Sequence, residues 1–227
     1  MCYDSKHRIW QMDGKIRIVC YGDSNTWGFD PVTGKQLPKD VRWPGVMQQA
    51  SPQAIRVIEE GLNGRTVLPY APRGNPLNGA EYCKKCVTSH APIDFLIVFL
   101  GINDLFQYDS PSIDTITSGL ERMIDGLDDT LFTDRLSYKI LLLPPLPVNR
   151  KMEYAEIYIQ FVELSETFSE KYASLAEQAG ALYVDISHVI ESSPIDGIHI
   201  DADEHIVLGE YVCDFLRQKL SVDGVPF

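Results

Sequence analysis

Five short apolar runs alternate with stretches of helical spacing, and this alternation most limits the folds open to the 227-residue chain. The runs are Ile16 to Tyr21, Ala54 to Glu60, Ile93 to Leu100, Tyr138 to Leu143 and Ala181 to Asp185. The third, I-D-F-L-I-V-F-L, is almost continuously apolar, as expected of a parallel strand covered on both faces. Between the runs, Arg42 to Ala50 suits a short helix starting near Pro44, and Asn78 to Ala91 a helix capped by Asn78. Ser112 to Leu127 carries Ile113, Ile116, Leu120, Met123, Ile124 and Leu127 at helical spacing. Tyr154 to Ala179 reads as the longest helix, stopped by Gly180, and Asp203 to Leu220 as a closing one. Alternation of this kind implies an α/β fold, a parallel sheet with helices on both faces. Working groups in such sheets collect beyond the carboxyl ends of the strands.

Length fits one domain over residues 15–227, preceded by an arm over residues 1–14. The net charge of −12 repels phosphate backbones and anionic membrane surfaces, which argues against a nucleic-acid or membrane partner. No apolar run is long enough to span a bilayer. The polar start, Met1 to Asp13, lacks the apolar centre of a signal peptide, so a cytoplasmic location is expected. Of the five cysteines, Cys20 and Cys213 fall in core patterns. Cys83 and Cys86 form a C-x-x-C pair on a helical stretch. A zinc site would need two further ligands at matching spacing, and the sequence offers none, so no metal is expected.

The segments that follow strands carry the candidate chemistry. Ile16 to Tyr21 runs into Gly22-Asp23-Ser24-Asn25, a sharp turn entering a helix at Ser24. A serine there stands at the positive end of a helix, where anionic charge is favoured. Helix capping by Asp23 or Ser24 explains the same residues equally well. Gly61 to Leu77 is a long loop, of the kind that usually carries function. It contains Asn63 and Gly64, and a glycine lets a backbone N–H approach a reacting carbon closely. Gly101-Ile102-Asn103-Asp104 follows the third strand and offers an amide donor at Asn103. Asp196 and His199 lie three residues apart across a turn containing Gly197, so the carboxylate can reach the imidazole Nδ1 while Nε2 faces outward. His7, His90, His188 and His205 have weaker settings. A serine needs such a base to become a nucleophile.

Gly22-Asp23-Ser24, Gly64, Gly101-x-Asn103-Asp104 and Asp196-x-x-His199 together resemble the four blocks of the SGNH hydrolases, the GDSL-type esterases. V-I-E-E-G-L-N-G-R-T (57–66), P-L-N-G-A-E-Y (76–82), L-G-I-N-D-L (100–105) and D-G-I-H (196–199) are similar to the bacterial arylesterase and acyltransferase branch. The resemblance implies a three-layer, flavodoxin-like α/β/α sandwich around a five-stranded parallel sheet. It implies Ser24 as nucleophile, His199 as base and Asp196 as its orienting acid, with the oxyanion held by Ser24 N–H, Gly64 N–H and Asn103 Nδ2. Asp23, Trp27 and Asn63 would touch substrate. The implied reaction is hydrolysis of short-chain acyl (acetyl or aryl) esters through an acyl-enzyme, without metal or organic cofactor, in a homo-oligomer. Asn25 stands where many members carry leucine. Loops 69–75 and 144–154 would shape the acyl and alcohol pockets, and Trp27, Phe29 and Trp43 would form an apolar rim. The same site would also serve a carbohydrate acetylesterase, a thioesterase, a lysophospholipase or an acyltransferase. A flavodoxin-like binding module without chemistry is the remaining alternative, although no G-x-G-x-x-G or phosphate-loop lysine supports it.

Overall fold

The computed structural model describes residues 15–108, 110–128, 138–153 and 155–222. The expected arm, with His7, lies outside them, as does Tyr154. In chain order the elements begin β1 (Ile16–Gly22), α1 (Ser24–Trp27), α2 (Trp43–Ala50), β2 (Ile55–Gly61) and α3 (Gly79–His90). Then come β3 (Phe95–Phe99), α4 (Ile102–Gln107), α5 (Ile113–Asp128) and β4 (Lys139–Leu143). The last four are α6 (Ile159–Ser165), α7 (Phe168–Ala179), β5 (Leu182–Tyr183) and α8 (Ala202–Val222).

The five strands form one sheet in the order β2-β1-β3-β4-β5, and every pairing is parallel. Register brings Gly22 of β1 level with Gly61 of β2 and Phe99 of β3, so three strands end together. Strand side chains alternate between faces. Val19 and Tyr21 join Leu96, Val98, Ile140 and Leu142 in a core covered by α3, α5 and α7. Ile18 and Cys20 join Ile97, Phe99 and Leu141 on the opposite face, under Trp43 and Met47 of α2 and Leu208, Val212 and Leu216 of α8. The result is the three-layer α/β/α arrangement. Each buried Leu or Ile contributes about 1.5–3 kcal/mol of transfer free energy. Among the described residues no helix is long and apolar enough to cross a membrane.

Three elements depart from the sequence reading. The single helix expected over 154–179 is two helices broken at Glu166 and Thr167, and the longest helix is α8. Short hydroxyls compete with the helical ladder at the break. Ser165 Oγ donates to the Val162 carbonyl and accepts the Val148 N–H, and Thr167 Oγ1 donates to the Leu164 carbonyl. The last strand shrinks to Leu182–Tyr183, because the Asp185 side chain turns the chain by accepting from Ser187 N–H and Oγ. Asn78 precedes α3 but makes no cap bond. Its Oδ1 accepts the N–H of Tyr70 and Ala71, and its Nδ2 donates to the carbonyls of Ala71 and Pro72, so it clamps the loop ahead of the helix.

The docking of α8 on α2 includes a wholly buried imidazole. His205 Nδ1 accepts the Trp43 N–H at 3.3 Å, while Nε2 has no partner among the described residues. Burial, with His199 and Arg42 adding positive charge, lowers its pKa from 6.5 to about 3. A base depressed in this way adds stability that is present above its unfolded pKa and lost as pH falls toward the folded value. His205→Gln should therefore lose less stability than wild type on acidification. The difference should grow by up to about 1.4 kcal/mol per pH unit below pH 6.5. Urea unfolding of both proteins between neutral and acidic pH measures it.

Candidate active site

The turn after β1 delivers the first group. Asp23 occupies the cap position of α1, and its Oδ1 accepts the Asn25 N–H at 2.9 Å. Ser24 is thereby held as the first helical residue, 4 % exposed, at the carboxyl edge of the sheet. Asp23 is itself buried, and burial raises its carboxyl to about 6 against the opposing bond from Asn25.

His199 arrives from a loop on the same edge. Its Nε2 lies 2.8 Å from Ser24 Oγ, and its Nδ1 lies 2.7 Å from Asp196 Oδ2. The second carboxylate oxygen, Oδ1, accepts the N–H of Ile198 and of His199, each at 3.0 Å. Burial alone would raise the Asp196 carboxyl. The bonds from the His199 ring and the two N–H groups outweigh it and hold the group below the usual carboxylate range. The turn between acid and imidazole requires Gly197, whose φ is +77° and whose absent Cβ would fall 2.1 Å from Met152 Sδ. The Phe29 ring lies over the imidazole with centroids 4.3 Å apart.

Asn25 fixes this loop from the other side. Its Nδ2 donates to the Ile198 carbonyl at 3.3 Å, and its Oδ1 accepts the Ile200 N–H at 3.2 Å. The two bonds bracket His199 in the chain. The residue that departs from the common leucine thus ties the serine turn to the histidine loop.

Gly64 has φ +76°, a left-handed backbone that favours glycine, within a turn closed by the Arg65 N–H on the Leu62 carbonyl. Arg65 anchors that turn. Its Nη1 donates to the carbonyls of Gly22, at 2.8 Å, and Glu60, and its Nε donates to that of Pro76. Asn103, the second residue of α4, donates from Nδ2 to the Arg65 carbonyl at 3.0 Å. An amide nitrogen has two hydrogens. Asp104 accepts the N–H of Val67 and Leu68 at 2.8 and 2.9 Å, while burial raises its carboxyl to about 7.

Of the other candidates, Trp27 is half-buried and Asn63 is exposed beside Gly64. His90 bonds Glu60, His188 lies 3.6 Å from Asp185, and His205 is the α2 contact described above. Among the described residues the imidazole that meets Ser24 is His199. Sequence reasoning missed the structural work of Asn25, Phe29, Arg65 and Asp104. For Asn25, Arg65 and Asp104 the signal available is adjacency to Ser24, Gly64 and Asn103, while Phe29 reads in the sequence only as part of an apolar rim.

A hydroxyl, an imidazole and a carboxylate in one row can move a proton from the hydroxyl to the ring, with the carboxylate stabilising the imidazolium. Such a row on a sheet edge is an arrangement that suits a serine hydrolase. The GDSL-like lipase/acylhydrolase family model matches residues 20–206, and the chain belongs to that family. Among solved structures it is similar to a carbohydrate acetylesterase family member from Sinorhizobium meliloti. The identity is 29 % and the TM-score 0.79, over 91 % of this chain and 99 % of that one. It is similar to the native aryl esterase of M. smegmatis at 30 % identity and TM-score 0.77, over 89 % of this chain and 99 % of that one. Among curated proteins none matches the sequence significantly.

Asp104→Ala should leave two N–H groups behind Gly64 without their acceptor. We expect a loss of about 2–3 kcal/mol or more in urea unfolding, with faster hydrogen exchange at Val67 and Leu68. Unchanged exchange at both amides would mean that Asp104 does not hold this loop.

Proposed function

We propose that the protein is a serine esterase acting on short-chain acyl esters through Ser24, His199 and Asp196. The observation that carries the reading is the unbroken row from Ser24 Oγ through both nitrogens of His199 to Asp196, at 2.8 and 2.7 Å. Ser24 attacks the ester carbonyl while His199 Nε2 takes its proton, and Asp196 holds the ring in the required tautomer. The developing oxyanion rests on Ser24 N–H, Gly64 N–H and the second hydrogen of Asn103 Nδ2. The alcohol leaves with the proton from His199. Water, deprotonated by the same imidazole, then releases the acid. Every step uses groups of the chain and water.

The carbohydrate acetylesterase relative favours acetylated sugars as a substrate class, and the aryl esterase relative favours aryl acetates. Trp27 and Asn63, placed beside Ser24 and Gly64 in the chain, are proposed to touch the substrate. Asp23 supports the turn instead, since its buried carboxylate is itself the cap of α1. A cytoplasmic location and self-association belong to the same proposal. Ile157, Tyr158 and Ile159, exposed where the chain enters α6, are the apolar residues offered for self-contact, which light scattering would test.

Hydrolysis of p-nitrophenyl acetate should fall at least about 1,000-fold in kcat for Ser24→Ala, with loss of fluorophosphonate labelling. Equal rates in variant and wild type would end the proposal. Asn103→Ala should lose about 100- to 1,000-fold in kcat, the usual worth of one oxyanion donor. Asn25→Ala should lower kcat by about 10- to 100-fold with little change in KM, because it loosens the placement of His199. A rise in KM at unchanged kcat would assign Asn25 to substrate binding. Comparison of aryl acetates with acetylated sugars separates the two substrate classes.

A further inference from the structure

Just before its last residue, β2 carries two acidic residues that leave the sheet on opposite faces. Glu59 turns toward α2 and pairs with Arg42. Glu60 turns toward α3, where its Oε1 lies 2.6 Å from His90 Nε2. Cys86 stands one turn before His90 on the same helix, at the i, i+4 spacing that puts both side chains on one face. The Cys86 sulfur, a ring nitrogen of His90 and a carboxylate oxygen of Glu60 all lie within 4.8 Å of one another.

The three groups have the form of a site rather than of a simple ion pair. Cys86 is 2 % exposed, whereas the Glu60 and His90 side chains are each 27 % exposed. A soft sulfur donor therefore lies at the floor, and two harder donors stand at a mouth open to water. The backbone beneath is braced at both ends. Arg17 Nη2 donates to the His90 carbonyl at 3.1 Å, and Arg65 Nη1 donates to the Glu60 carbonyl. Thiolate, imidazole and carboxylate together suit zinc, and three protein ligands leave the fourth tetrahedral position to water. Of the C-x-x-C pair only Cys86 joins the cluster, while Cys83 packs in the core; the partners of Cys86 come from the next helical turn and from a separate strand.

We propose that Glu60, Cys86 and His90 form a binding site for a divalent transition-metal ion of the zinc type, separate from the Ser24 row. On uptake the Cys86 Sγ–H bond breaks, a sulfur–metal bond forms, and the proton passes to water. The proton in the hydrogen bond between His90 Nε2 and Glu60 leaves through water, to bulk from an imidazolium or to Nδ1 from a neutral ring, and Nε2 and the carboxylate then each bond the ion. No electron changes owner.

Cobalt(II) titrated into the reduced, chelator-treated protein tests the proposal. Wild type should take up one equivalent, with a sulfur-to-cobalt charge-transfer band and tetrahedral visible bands. Cys86→Ala should lose the charge-transfer band. Changes beyond the direct ligands alone cost about 10- to 100-fold in affinity, so Glu60→Gln and His90→Gln should weaken cobalt and zinc binding by more than about 100-fold. Glu60→Gln keeps the size of a partly exposed side chain, and its metal-free melting curve verifies the fold. Ser24→Ala should bind cobalt as wild type does. Absence of the band in wild type, its survival in Cys86→Ala, or unchanged affinity in Glu60→Gln would overturn the assignment and leave an ordinary ion pair.

Discussion

The candidate site depends on one buried cation. Arg65 is 2 % exposed, and its guanidinium carbon lies 4.2 Å from the centre of the Tyr21 ring. Taking a charge out of water is costly unless it is well bonded. Here the cost is offset by carbonyl oxygens of Gly22, Glu60 and Pro76 and by the negative face of the ring. Those carbonyls belong to the end of β1, the end of β2 and the far side of the long loop. The Arg65 carbonyl in turn holds Asn103 at the start of α4. One side chain thus gathers the strand ends, and the main chain of the same residue fixes the amide opposite Ser24.

Three carboxylates near this edge show how environment divides labour. Asp23 and Asp104 are raised to about 6 and about 7 by burial, although each accepts backbone N–H groups. Both are braces for loops. Asp196 is less enclosed, and its bonds from His199 and two N–H groups hold its carboxyl below the usual carboxylate range. It is the one whose charge faces an imidazole. The distinction follows from which groups surround the acid, not from the residue type.

The sheet was readable because its strands are covered on both faces, so β3 appears as a plain apolar run in the sequence. The chemistry was readable because Ser24, Gly64, Asn103, Asp196 and His199 each follow a strand or precede a helix. What stayed hidden depends on contacts between segments far apart. The break before α7 comes from Ser165 reaching Val148 across the chain. The clamp made by Asn78 overrides its local preference for a cap. Asn25 reads in the sequence only as a departure from the common leucine, because its partners at Ile198 and Ile200 come from the other end of the chain. Glu60, Cys86 and His90 met only when β2 was laid beside α3.

His199 and α8 are nearly continuous, since the helix begins at Ala202 and carries His205 into the contact with α2. The imidazole therefore rides on the seating of the closing helix. A small rise or tilt of α8 would draw the ring from the hydroxyl while the sheet stayed whole. Heat inactivation would then report the undocking of one helix, and it would run ahead of the loss of secondary structure seen by circular dichroism.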